Sequence, residues 1–142
     1  MIIKPSQSLS DITQRLLTQI LPDISNEFNQ ADTALISQLL ATFAEEFERS
    51  VDIHMQDIQD MQTLFTNVPE HYPQQAPLNE YCAAKPASWH LQDVTSFHAK
   101  GFEYLIALHS WTEEQDITQL NQEIWQLLRS HAERHKFSIG VP

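Results

Sequence analysis

Apolar residues recur every three or four positions along the stretch from Asp32 to Thr66, which contains neither glycine nor proline. This spacing puts them on one face of a helix, with polar and acidic residues on the opposite face. At about 1.5 Å per residue the helix is roughly 50 Å long, too long to stand alone in a small protein. We therefore predict that it is the central helix of a bundle. Its inward-facing residues are Ile36, Leu40, Phe43, Phe47, Ile58, Met61 and Phe65.

The same spacing, combined with capping residues, predicts three more helices. With the central helix included, the predicted helices cover about residues 8–21, 32–66, 88–110 and 112–137. Asp32 and Ser88 are the expected caps of the second and third helices, and Thr112 forms a capping box with Gln115 at the start of the fourth. Arg134 lies near the end of the fourth helix, where its charge suits the helix dipole.

Four prolines interrupt residues 67–87, so regular structure is not expected to persist there. This segment is predicted to be a long crossover between the second and third helices. The sequence thus predicts an all-α protein, a four-helix up-down bundle, with one domain over residues 1–142.

Charge and composition exclude several classes of protein. The chain has 19 acidic and 8 basic residues, a formal net charge of −11, whereas a nucleic-acid-binding protein needs a basic surface. No apolar run is long enough for a membrane span, and the first residues do not resemble a signal peptide. Cys82 is the single cysteine, which excludes a disulfide framework. Together these features predict a cytoplasmic protein.

Six of the seven histidines fall within the apolar arcs of predicted helices. In an up-down bundle, four of them lie at a similar height: His54, His98, His131 and His135. Gly101 lies at the same height and is expected to leave room for a bulky neighbour. A single inward-facing histidine is usually a satisfied polar group at the edge of a core, so packing alone is the competing explanation.

His131 and His135 are one helical turn apart, a spacing at which two imidazoles can reach one metal ion. His54 from the central helix would complete a set of three ligands, with His98 as a fourth ligand or as a neighbour of the bound water. Zinc, nickel and ferrous iron all suit imidazole ligands. Glu46 and Asp57 flank the apolar face and could accept hydrogen bonds from the imidazoles.

A histidine in the second helix followed by an HxxxH in the last long helix resembles the DinB/YfiT family of four-helix bundles. The resemblance implies that His54, His131 and His135 bind a divalent metal ion, as the three histidines of that family do. Some members of the family are thiol S-transferases. The stretch from Arg129 to His135 also loosely resembles the Arg-x-His motif of HEPN-type ribonucleases, but the negative charge argues against RNA as a substrate.

The alternative function is a metal-free acidic interaction protein, such as an inhibitor, an immunity protein or an antitoxin. Such a protein would bind a basic partner through acidic residues of the central helix, represented by Glu45, Glu48, Asp52 and Asp60. Because no general base or nucleophile is identifiable, the sequence favours binding over catalysis and leaves open whether the protein is an enzyme. It is equally compatible with a monomer and a homodimer.

Overall fold

The computed structural model describes residues 2–138, and the regular structure within that range is entirely helical. The five α-helices are α1 (Pro5–Arg15), α2 (Glu27–Thr66), α3 (Gln75–Ala83), α4 (Leu91–Glu114) and α5 (Thr118–Arg134). About 80% of the described residues are helical, so the predicted all-α class is confirmed. The finer prediction of a four-helix up-down bundle stays a prediction. No helix among the described residues combines the length and apolarity needed to cross a membrane.

The chain forms two compact units. The first comprises Met1–Ser50 and Phe137–Pro142, and the second comprises Val51–Lys136. Helix α2 contributes its first 24 residues (27 to 50) to the first unit and its last 16 (51 to 66) to the second. The prediction of a single domain over the whole chain is not tested by this division.

The first two helices begin earlier than predicted. Helix α1 starts at Pro5, because the fixed φ of proline suits the first helical position and its missing N–H is not needed there. Helix α2 starts at Glu27, since the side-chain oxygen of Asn26 accepts hydrogen bonds from the backbone N–H groups of Phe28 (2.9 Å) and Asn29 (3.2 Å). The predicted cap, Asp32, lies inside α2.

The predicted crossover at 67–87 contains helix α3. Its proline, Pro77, lies in the first turn, where a backbone N–H has no partner within the helix and is not missed. Leu78 and Tyr81 on this helix are buried, and the side-chain amide of Gln62 donates to the carbonyl oxygens of Tyr81 (3.0 Å) and Ala84 (3.1 Å). Buried side chains and these hydrogen bonds therefore hold in place a helix that the proline spacing did not predict.

The predicted boundary between the last two helices was also wrong. Thr112 is fully buried within α4 and its hydroxyl donates to the Leu108 carbonyl oxygen (2.7 Å), so it does not cap a helix. The chain turns at Asp116, which has a positive φ of 53°, and α5 begins two residues later. Ser88 is not the cap of α4 either, because α4 begins at Leu91 and its N-cap is His90. The Ser88 hydroxyl accepts a hydrogen bond from the backbone N–H of His90 (3.1 Å) just before the helix.

The second unit has a continuous apolar core. Gly101 on α4 faces Tyr81 and Met61, and a Cβ atom added to Gly101 would lie only 2.7 Å from Met61 Cε. The glycine therefore makes space for a bulky neighbour, as predicted, and the ring that fills the space is a tyrosine. The core consists of Ile58, Met61, Leu64, Phe65, Val68, Tyr72, Leu78, Tyr81, Val94, Leu105, Leu108, Leu120 and Ile124.

Candidate metal centre

Asp57 lies on α2 at the centre of a histidine cluster in the second unit, and only 1% of its side chain is exposed. Helix α4 contributes His98, helix α5 contributes His131, and the residue just after α5 is His135. His131 and His135 reach the same point because the helical turn between them stacks their side chains on one side of the backbone.

Three imidazole nitrogens converge on a single oxygen of Asp57. His98 Nε2 lies 3.0 Å from Oδ2, His131 Nδ1 lies 2.8 Å from it, and His135 Nε2 lies 2.6 Å from it. The four candidate ligand atoms all lie within 4.8 Å of one another. For comparison, ligand atoms in a tetrahedral zinc site are about 3.3 Å apart, given bond lengths of about 2.0–2.2 Å.

Arg134 holds the other oxygen of Asp57. One guanidinium nitrogen donates to Asp57 Oδ1, and the other donates to Asp60 Oδ2 at 2.6 Å. The planar guanidinium group thereby bridges two carboxylates, and it orients Asp57 so that Oδ2 faces the imidazoles. One positive charge is thus shared by two acidic residues, which leaves the group with a net negative charge when the histidines are neutral.

The cluster favours the protonation states that bind a metal ion. Burial alone would raise the pKa of Asp57, but hydrogen bonds from His98, His135 and His131 outweigh it and hold that pKa well below its ordinary value of 3.8. For His131, burial lowers the pKa below 6.5 despite the opposing attraction of Asp57. A charged carboxylate and a neutral imidazole are the forms in which these residues act as ligands.

The four donor atoms are close enough together to hold one divalent cation. A carboxylate oxygen has about two lone pairs, so three N–H groups directed at Asp57 Oδ2 exceed what it can accept well. A cation among the four donors would bind all of them at once. The side chains of His98, His131 and His135 are 13%, 27% and 27% exposed, so an ion could enter from solvent.

Three of the four predicted metal residues are brought together: His98, His131 and His135. His54 lies beside them, with its ring centroid 4.7 Å from that of His98 and 5.3 Å from that of His135, but it is not among the four converging donors. Asp57, predicted only as a hydrogen-bond acceptor, is the fourth donor. Its position three residues after His54, on the same helical face, is the sequence feature that could have identified it.

The acidic residues of the alternative interaction surface make contacts within their own units. In the first unit Glu45 pairs with Arg49 (3.2 Å), and Glu48 accepts a hydrogen bond from Ser6. In the second unit Asp52 accepts from Gln56 (3.0 Å), while Asp60 is bound by Arg134. Binding of a basic partner stays a prediction. Glu46, the other expected acceptor for an imidazole, lies 3.5 Å from Arg49.

No family model matches the chain, and comparisons with curated proteins and with solved structures give no significant match. The resemblance to DinB/YfiT proteins therefore rests on the histidines alone. The chain is a small helical protein with a buried Asp/His₃ group whose donor atoms lie within metal-binding distance of one another.

Proposed function

We propose that this protein binds one divalent metal ion through Asp57, His98, His131 and His135. The observation that carries the proposal is the convergence of three imidazole nitrogens on one oxygen of a carboxylate that is almost fully buried. A carboxylate oxygen has about two lone pairs, so it cannot pair fully with three imidazole N–H groups. A divalent ion is a suitable partner for a group whose net charge is negative.

Zinc, nickel and ferrous iron are the candidate ions, because imidazole and carboxylate ligands suit all three. Four protein ligands are typical of a closed, structural zinc site, in which the ion adds to folding stability. We therefore favour binding over catalysis, and the proposal assigns no reaction.

A DinB-like site is the second candidate, and the closeness of His54 to His135 favours it. Its ligands would be His54, His131 and His135, and the fourth position would hold water near Asp57. Such an open position would permit metal-assisted chemistry, because a bound metal lowers the pKa of water. The two candidates share His131 and His135. The first adds Asp57 and His98 as ligands, and the second adds His54 and a water molecule.

The test is metal analysis of the purified protein, followed by titration of the metal-free protein with zinc, nickel and ferrous iron. We expect one equivalent of metal in the wild type, and a loss of affinity of about 100-fold or more in His131→Ala, since removing a ligand should cost at least as much as removing a residue that supports one. His109→Ala is the matched control. His109 lies on α4 and is partly buried, as His131 is. Its Nε2 lies 3.0 Å from Asn121 Oδ1 rather than near Asp57.

Two further variants separate the candidate sites. If the Asp/His₃ site binds the metal, the His98→Ala variant should lose it and the His54→Ala variant should keep it. If the DinB-like site binds the metal, His54→Ala should lose it and His98→Ala should keep it. If the wild type contains no metal, and none of the three ions raises its melting temperature, the proposed function is wrong.

A further inference from the structure

The described residues of the first unit do not form an apolar core. Among residues 2–50 the buried ones are Thr13, Ser37, Ala44 and Ser50, and none of these is a large hydrophobic residue. Large apolar side chains in the same segment are instead exposed. Folded proteins usually show the opposite distribution, because removing apolar surface from water is the main favourable term in folding. Between residues 12 and 47 the exposed ones are Ile12, Leu17, Ile20, Phe28, Leu35, Ile36, Leu39, Phe43 and Phe47.

Four of these residues form a continuous stripe along α2. Ile36, Leu39, Phe43 and Phe47 are separated by three, four and four positions, which places them on one face of the helix. Between 47% and 59% of each residue's surface is exposed. The buried residues Ser37 and Ala44 lie on a different face of the same helix, so the stripe is not the face that α2 already uses within the first unit.

We propose that a second copy of this chain covers the apolar stripe, and that the protein is a homodimer joined through its first units. Two more exposed residues, Phe28 and Leu35, lie on the same side of α2 as the stripe. If each of these six side chains offers roughly 100 Å², about half of a large side chain, one copy presents roughly 600 Å² and two copies present roughly 1,200 Å². Specific, stable interfaces bury about 1,200–2,000 Å² in total, so the area of this face is enough for a second copy.

The chemistry of the stripe and its surroundings favours a protein partner over a membrane. Glu45, Glu46 and Glu48 lie on α2 next to Phe43 and Phe47, so an anionic bilayer would repel this part of the helix. The stripe itself contains no charged residue and includes two phenylalanines, as the centre of a protein interface does, while the acidic residues would form a solvated rim.

A second copy fits better than a different protein because the stripe is complementary to itself. Two-fold dimers use the same surface on both subunits, and they are the commonest soluble oligomers. Two helices cannot enclose a core, whereas α1 and α2 from each of two copies supply the four helices that a bundle needs. The dimer would therefore give the first unit the core that it lacks alone.

Sedimentation velocity of the full-length protein across the micromolar range tests this proposal. We expect a species of twice the chain mass of 16.4 kDa in the wild type. The double variant Phe43→Glu/Phe47→Glu should sediment as a monomer, because it places two charges in the middle of the interface. Ile106→Glu is the control. Ile106 is 65% exposed on α4 in the second unit, and its replacement should leave the dimer intact.

A cross-linking experiment keeps the test valid if the double variant does not fold. In a Cys82→Ser background, Leu39→Cys should form a disulfide-linked dimer under mild oxidation, because either a parallel or an antiparallel two-fold pairing brings the middle of the stripe close to its own copy. Ile106→Cys in the same background should not. A monomeric wild type would overturn the proposal, and so would a dimer that survives the double variant with its helical circular-dichroism spectrum intact.

Discussion

Arg134 is the residue that fixes the orientation of Asp57. Its guanidinium group binds Asp57 on one side and Asp60 on the other, which leaves Asp57 Oδ2 directed at the histidines. Both carboxylates favour the charged form of Arg134 and raise its pKa, although burial acts against them. This arrangement resembles the outer hydrogen bonds that orient ligands in metal sites, where loss of one partner lowers metal affinity.

Replacing Arg134 with glutamine should therefore weaken metal binding by about 10- to 100-fold without abolishing it. The Asp57 carboxylate would keep its histidine neighbours but lose the group that holds it in one orientation. Competition of the purified protein with a metal chelator measures the affinity. Arg129→Gln is the control, because Arg129 lies on the same helix and is exposed. Equal affinities for Arg134→Gln and the wild type would show that Arg134 does not position the ligand.

The histidines and the acidic residues differ in how well sequence alone predicts them. A histidine inside an apolar stripe breaks the expected pattern, so His98, His131 and His135 stand out. Asp57 does not, since an acidic residue beside a stripe usually faces solvent, and only the positions of α4 and α5 make it a shared partner. Arg134 likewise has an ordinary explanation at the end of a helix, and its bridge to two carboxylates appears only in three dimensions.

At the scale of helices, the contact between α3 and α4 depends on Gly101. The Tyr81 ring of α3 stacks on Phe97 of α4 (4.5 Å between centroids), and its hydroxyl donates to the Phe97 carbonyl oxygen (3.2 Å). The ring cannot move away without losing both contacts. The absence of a side chain at Gly101 is therefore what allows the two helices to approach so closely.

The variant Gly101→Ala should destabilise the protein by about 1–3 kcal/mol, since overpacking a filled core costs that much and outweighs the better helix propensity of alanine. Denaturant unfolding measures the change. In a Tyr81→Phe background, which removes the nearest atom, the same substitution should cost less, and the difference is the coupling between the two positions. A stabilising effect of Gly101→Ala, or identical costs in both backgrounds, would contradict this explanation.

The helices themselves were largely predictable, whereas their ends were not. The apolar spacing correctly predicted α2 and α4 because both are long and strongly periodic. The spacing of the prolines does not predict α3, because Pro77 occupies the first turn of that helix, where proline is tolerated. The apolar spacing of α2 also does not distinguish Ile58, which is buried, from Phe43, which is exposed.

At the scale of the molecule, the two units differ in what stabilises them. The second has an apolar core and a buried polar cluster, and the first has neither among its described residues. We therefore expect metal binding to stabilise the second unit and self-association to stabilise the first. The two effects can be distinguished, because metal affinity should respond to His131→Ala, and the sedimenting mass should respond to charges placed in the apolar stripe.

The pH dependence of stability without metal follows from the same cluster. His131 has a lowered pKa when folded, so below about pH 6.5 the unfolded chain binds more protons at this residue and folding becomes less favourable. Asp57 acts in the same direction at lower pH. The charged Asp57 carboxylate stabilises the fold fully at pH values above 3.8, the ordinary pKa of the group. This stabilisation is lost as the pH falls below 3.8 toward the much lower pKa that Asp57 has in the folded protein.

Thermal unfolding in the presence of a chelator should therefore show a melting temperature that falls as the pH drops from 7 through 6.5 and falls again below 3.8. The variant His131→Asn should flatten the first decrease and Asp57→Asn the second, while His109→Asn should keep both, since His109 is not part of the cluster. Added zinc should raise the melting temperature most at neutral pH, because protons compete with the metal for the imidazoles as the pH falls. If His131→Asn and His109→Asn have the same pH profile, the cluster does not control the acid sensitivity, and its histidines act only as packing.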